Sequence, residues 1–89
     1  MTIINQESAT ALLRGVTIGL ESGLLPDDVE NVWELIDAGE WALALDTLCT
    51  QLYEYDVQID QATYDDLAEL GQYFGVRTSI WEVLRPEGE

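Results

Sequence analysis

Gly39–Asp56, GEWALALDTLCTQLYEYD, is the stretch whose reading decides the fold. At about 100° per residue, Trp41, Leu45, Leu48, Cys49, Leu52 and Tyr55 fall within one stripe roughly 120° wide, the period of a helix that buries one side. This is a core helix, and the segments on either side of it must supply the surfaces that cover its stripe.

Working back from Gly39, that glycine suits the position just past a helix C-terminus, where a left-handed backbone is needed. The helix it ends starts at Pro26, whose missing N–H costs nothing in a first turn, followed by Asp27 and Asp28, favoured by the N-terminal dipole. Val29, Val32, Trp33, Leu35 and Ile36 form its inward side, and Asp27, Glu30, Glu34 and Asp37 gather on the other. The core helix begins directly after Gly39, so the two form a tight αα-hairpin. Before it, residues near Gln6 to Leu20 place Ala9, Leu12, Leu13, Val16, Gly19 and Leu20 on one side, with Ser8 as a cap or first-turn residue. Gly23 stops this first helix.

After the core helix, Asp56-Val57-Gln58-Ile59-Asp60 alternates apolar and polar residues but has no partner strand, so it is an extended linker whose Val57 and Ile59 tuck under the domain. Asp60 then caps a fourth helix with Tyr64, Leu67, Ala68, Leu70, Gly71 and Phe74 inward, ended by Gly75. Ser79 caps a last short helix, Ile80–Leu84, before Pro86 and an acidic tail. The fold class is all-α: a small bundle of four helices plus a short C-terminal one, in a single domain over residues 1–89, around Trp33, Trp41, Leu45, Leu48, Leu52, Leu67 and Phe74. The hairpin resembles one tetratricopeptide unit, but no second copy follows at a fixed period.

Charge narrows the function. Eighteen acidic residues face three arginines and no lysine, a net charge of −15 over 89 residues, while 47% hydrophobic content argues for a folded chain rather than a disordered one. Such a surface repels nucleic acid and anionic membrane and attracts basic partners over long range. There is no histidine and one cysteine, so neither a zinc site nor an intrachain disulfide is expected, and Cys49 lies on the apolar stripe of the core helix as a structural residue. Without a positioned base there is no nucleophilic machinery, and the carboxylates sit on polar faces where nothing raises their pKa. The Asp56, Asp60, Asp65, Asp66 spacing does not match a calcium-binding EF-hand loop. No enzyme, cofactor or metal is expected. The first residues lack the basic and apolar regions of a signal peptide, and no apolar run approaches a membrane span, so the expectation is a cytoplasmic protein.

The informative surface is where aromatics mix with acids: Asp65, Asp66, Glu69 and Tyr73 on the fourth helix, opposite its core side, and Tyr53 and Glu54 on the third. Tyrosine anchors interfaces and carboxylates around it speed encounter with a basic partner. The linker places Asp56 and Asp60 near the start of the fourth helix, extending the patch. The rival surface, Asp27, Glu30, Glu34 and Asp37 on the second helix, is equally acidic but lacks an exposed aromatic.

At GEWALAL and LYEYD, preceded by LLPDDV and followed by a Tyr-bearing acidic helix and a late Trp, the chain resembles the MafI-type immunity proteins of bacterial polymorphic-toxin and contact-dependent growth inhibition systems. The resemblance spans roughly Leu24 to Leu84. It implies a small helical cytoplasmic protein that binds and neutralises a cognate toxin domain, often a nuclease, EndoU-like ribonucleases included. The LYEYD word falls on residues 52–56, of which Tyr53, Glu54 and Asp56 are candidate contacts and Leu52 and Tyr55 belong to the core stripe. The toxin-binding set is thus Tyr53, Glu54, Asp56, Asp60, Asp65, Asp66, Glu69 and Tyr73. A reading of another class is an acidic adaptor or nucleic-acid mimic occupying a basic surface of a host protein. Sequence leaves the oligomeric state open.

Overall fold

The computed structural model describes residues 3 and 5–86. Among them are five α-helices and no strand: α1 Gln6–Leu20, α2 Pro26–Asp37, α3 Trp41–Glu54, α4 Gln61–Phe74 and α5 Ser79–Glu82, with a 3₁₀ turn at Glu21–Gly23 between α1 and α2. The all-α bundle expected from periodicity is the fold observed.

Local signals set the ends of the helices. Asn5, rather than Ser8, caps α1: its side-chain oxygen accepts from the Ser8 N–H at 2.9 Å, and the Ser8 hydroxyl accepts from the Asn5 N–H at 3.1 Å. This reciprocal box satisfies two of the donors a helix start leaves orphaned. Pro26 occupies the first turn of α2, and Gly39, at φ +80°, ends it. There the Glu40 N–H reaches the Leu35 carbonyl (2.9 Å) and the Gly39 N–H that of Ile36 (3.1 Å), a Schellman closure that turns the chain directly into α3. The Asp60 carboxylate caps α4 by accepting from the Thr63 N–H at 2.8 Å. α5 departs from expectation, because it begins at Ser79 with Thr78 preceding it and neither side chain caps it.

α3 packs against each of the other helices. Ala44, Leu45, Leu48, Cys49 and Leu52 have no exposed surface, and they meet Leu13 of α1, Val32 and Ile36 of α2, Leu67 and Leu70 of α4, and Trp81 of α5 in one core. Three expected core aromatics, Trp33, Trp41 and Phe74, are only half-buried and pack against its margin. A bundle this small encloses leucine-sized groups completely but leaves bulky rings at its rim. Tyr55 corrects the stripe more sharply. It is 46% exposed, because α3 ends at Glu54 and the backbone leaves the helical path just where the stripe would carry it inward. The Asp28 side chain nearby, ahead of desolvation and the charge of Glu54, raises the phenol's pKa.

Two contacts seat the outlying segments. Val57 and Ile59 pack against the core as expected, and a Cβ on Gly23 would lie 3.1 Å from Val57 Cγ1, so the linker runs beneath the 3₁₀ turn. Gly71 of α4 has no room for a side chain, since a Cβ there would collide with the ring of Trp81. The absent methyl is what lets α5 close onto α4.

These packing facts separate three substitutions in a chemical-denaturation series. Leu48→Ala should cost about 2–5 kcal/mol, a large part of the roughly 5–15 kcal/mol that holds a domain folded. Gly71→Ala gains about 1 kcal/mol of helix propensity but must displace a buried indole, and a net loss on the order of 1–2 kcal/mol is expected. Gly15→Ala, where a Cβ meets nothing within 4 Å, should instead stabilise by about 0.5–1 kcal/mol. Equal effects at the two glycines would refute the Gly71–Trp81 packing.

Candidate functional site

On α4, Asp65, Glu69 and Tyr73 stack at four-residue spacing along one edge, with Asp66 beside them. The structure modifies the expectation that this edge faces away from the core. Asp65 and Tyr73 are exposed, but Asp66 and Glu69 are half-buried because α1 packs along that side. Asp66 lines a cleft of about 310 Å³ with Ala11, Gly15 and Gly19 of α1. Glu69 Oε2 accepts from the Ile3 N–H at 2.8 Å and so ties Ile3 to α4. Asp65 accepts from Gln61 Nε2 at 2.8 Å, one turn back.

Tyr73 is 44% exposed and is the outer end of a three-ring ladder. Its ring meets Phe74 edge to face at 5.4 Å, and Phe74 stacks on Trp41 at 6.5 Å. Such ring pairs are favourable beyond the area they bury, and they hold Tyr73 in place before any partner arrives.

The second group lies at the end of α3 and in the linker. Tyr53, 61% exposed, shares a cleft of about 210 Å³ with Asp56, Gln58, Ile59, Val83 and Arg85. Glu54 is exposed beside it. Asp56 has φ +54°, and it takes the place a glycine would hold: its N–H donates to the Tyr53 carbonyl (3.2 Å) and that of Val57 to Leu52 (3.0 Å). Asp60 is committed as the α4 cap, and the Thr63 hydrogen bonds hold its carboxyl below the ordinary range. Arg85 lines the Tyr53 cleft, with its guanidinium 5.6 Å from the Tyr64 ring centroid and its Nη2 donating to the Tyr64 hydroxyl at 3.4 Å.

Sequence reasoning missed a third feature. Trp33 of α2 is half-buried and lines an open cleft of about 470 Å³ with Glu21, Leu24, Pro26, Val29 and Glu30. Its indole Nε1 donates to Glu21 Oε2 at 2.7 Å, and the Arg14 guanidinium lies 5.9 Å from the ring centroid. Arg14 also pairs with Asp37 at 3.2 Å. As expected of this helix, Trp33 is not an exposed aromatic, but its half-buried ring forms part of the cleft wall. An expected place on the apolar stripe concealed it, although the flanking Glu30 and Glu34 were the available signal.

Cys49 has no exposed surface, and burial, then the charge of Asp46, pushes its thiol pKa up to about 12. No group of three or more His, Cys, Asp or Glu among the described residues is arranged to hold a metal ion. No described helix is long and apolar enough to cross a membrane. What these surfaces offer chemically is carboxylate charge beside fixed aromatic rings, which suits recognition of cationic groups. Compared with family models, curated proteins and solved structures, the chain matches none.

Cys49 should react with Ellman's reagent near pH 8 only at the rate of unfolding, and rapid labelling of the folded protein would contradict its burial. Asp60, with its folded pKa below the unfolded value near 3.8, contributes stability above that pH and loses it as pH falls through the folded pKa. Asp60→Asn retains a cap oxygen without this titration. Its thermal midpoint should therefore fall less than the parent's between about pH 6 and about pH 3, and parallel declines would show that the cap does not couple to protonation.

Proposed function

We propose that this chain is an immunity-type binder that neutralises a cognate bacterial toxin domain by covering a basic surface on it. The observation that carries the reading is a net charge of −15 displayed by a small helical body. A toxin that handles nucleic acid needs a basic groove to hold a polyanion, and a strongly acidic protein uses the same field to find it. The GEWALAL and LYEYD words, with their resemblance to MafI-type immunity proteins, support the toxin as partner and a nuclease, EndoU-like ribonucleases included, as its chemistry. On this reading the chain acts in the cytoplasm, contacts the toxin rather than nucleic acid or membrane, and catalyses nothing.

Roles follow from exposure. Tyr73, fixed by its ring ladder, and Tyr53 are the anchors. Asp65, Glu54 and Asp56 supply exposed charge around them. Asp60, Asp66 and Glu69 belong to the same acidic surface, but their geometry also serves the fold through the α4 cap, the α1 cleft and the tie to Ile3.

The test is co-expression with the toxin domain encoded beside this chain. Rescue of growth together with co-purification is expected, and a chain that neither rescues nor co-purifies would remove the proposal. Within the complex, Tyr73→Ala should raise the dissociation rate about tenfold or more, the usual cost of losing an aromatic anchor. Asp65→Lys should chiefly lower the association rate, with a shallower salt dependence. Neither change touches the buried core, and circular dichroism of each variant verifies that the fold persists.

A further inference from the structure

Between the 3₁₀ turn and α2 lies an apolar cleft, with Leu24, Pro26, Val29 and Trp33 on its walls and Glu21 and Glu30 on its rim. We propose that this cleft is a docking groove for a basic amphipathic helix of a partner protein. One apolar side chain of that helix seats against Trp33, and its Arg or Lys side chains meet the rim carboxylates. The proposal rests on reading the chain as a binder of basic proteins, but not on that partner being a toxin.

The groove is formed before binding. Trp33 is held at its N–H edge by Glu21 (2.7 Å) and flanked on its face by Arg14, which Asp37 in turn pins at 3.2 Å. A side chain fixed from two directions loses little entropy when a partner covers it, which favours affinity.

Charge selects the occupant. Residues 21–37 contain six carboxylates, Glu21, Asp27, Asp28, Glu30, Glu34 and Asp37, and no Lys or Arg. Asp27, Glu30 and Glu34 make no side-chain hydrogen bond or ion pair among the described residues, so their charge is uncompensated. An acidic segment, nucleic acid or an anionic lipid surface would be repelled, and a second copy would set carboxylates against carboxylates. A purely apolar segment would leave the rim unmatched. The shape selects a helix, because α2 presents side chains and no unpaired backbone edge for strand addition, whereas a groove beside a helix accepts anchors at i, i+3 and i+4.

The probe is a synthetic amphipathic peptide of Leu, Lys and Arg with leucines at helical spacing, compared with a counterpart in which Ser replaces Leu. Titrated into the full chain at low salt, the Leu peptide should bind, shift the Trp33 indole N–H resonance, and bind at least about tenfold more tightly than the Ser peptide. Val29→Ser and Glu30→Lys should each weaken it about tenfold, the first with its salt dependence unchanged and the second with a shallower one, whereas Gln72→Ala, at an exposed position on α4, should bind it as the parent does. No binding, equal affinity for both peptides, an unshifted Trp33 resonance, or parental affinity in both groove variants would each overturn the proposal. Failure of the toxin reading is distinguishable: peptide docking at Trp33 without growth rescue leaves the groove standing, while rescue by chains carrying both groove substitutions, with no peptide docking in the parent, removes the groove and leaves the toxin reading intact.

Discussion

Burial of the α3 ridge is the constraint on which the rest depends. Leu45, Leu48 and Leu52 are wholly enclosed, in one cluster with the apolar faces of α1, α2, α4 and α5. Each such side chain contributes about 2 kcal/mol of transfer free energy, and three in a row fix where α1, α2, α4 and α5 must lie. Once those helices cover α3, their carboxylates have only the outer surface to occupy. The acidic surface is thus a consequence of the core before it is a device for binding.

A surface of like charge destabilises the compact state by self-repulsion, and here the chain limits that cost by using carboxylates as hydrogen-bond acceptors. Asp60 caps α4, Glu69 ties Ile3 to α4, Glu21 fixes the Trp33 indole, and Asp65 takes the Gln61 amide. Arg14 is placed where it compensates most. Asp37 lies in the last turn of α2, where a negative charge opposes the helix dipole, and Arg14 is its ion-pair partner. The pair is exposed, so its direct contribution is modest. Its larger effect is geometric, since the same guanidinium flanks Trp33.

The fold was legible in the sequence wherever the deciding physics is local. Pro26, Gly39, Asp60 and Gly75 mark helix ends through dihedral and capping preferences that need no knowledge of neighbours, and α2 and α4 run between those signals, whereas α1 ends at Leu20, ahead of the stop expected at Gly23. Periodicity located the leucines for the same reason. It failed at Tyr55, because a stripe has no meaning past the last helical turn, and the ending there depends on Asp56 adopting a left-handed conformation that glycine more often supplies. It overstated Trp33, Trp41 and Phe74, because angular position gives direction but not depth. The candidate site was less legible. That α1 would pack along the Asp66 and Glu69 edge, or that Arg85 would line the Tyr53 cleft, depends on how helices distant in sequence meet.

Separating committed from uncommitted carboxylates also separates the two tasks of a binding surface. Charge spread over most faces of a domain draws in a basic partner from any direction, which raises encounter rates but distinguishes poorly among basic partners. Discrimination must come from groups with a fixed position and shape. Two rings meet that condition through unrelated means: Tyr73 by stacking onto Phe74 and so onto Trp41, and Trp33 by a hydrogen bond to Glu21 and a cation near its face. Their neighbours differ as well. Around Tyr73 the carboxylates are largely engaged by the fold, so contact there is chiefly aromatic. In the Trp33 cleft Glu30 remains uncompensated, so an apolar contact and a charge contact can be made together and by one partner helix. The α2 side therefore has the greater capacity for specificity, although its aromatic is the one that an apolar stripe conceals.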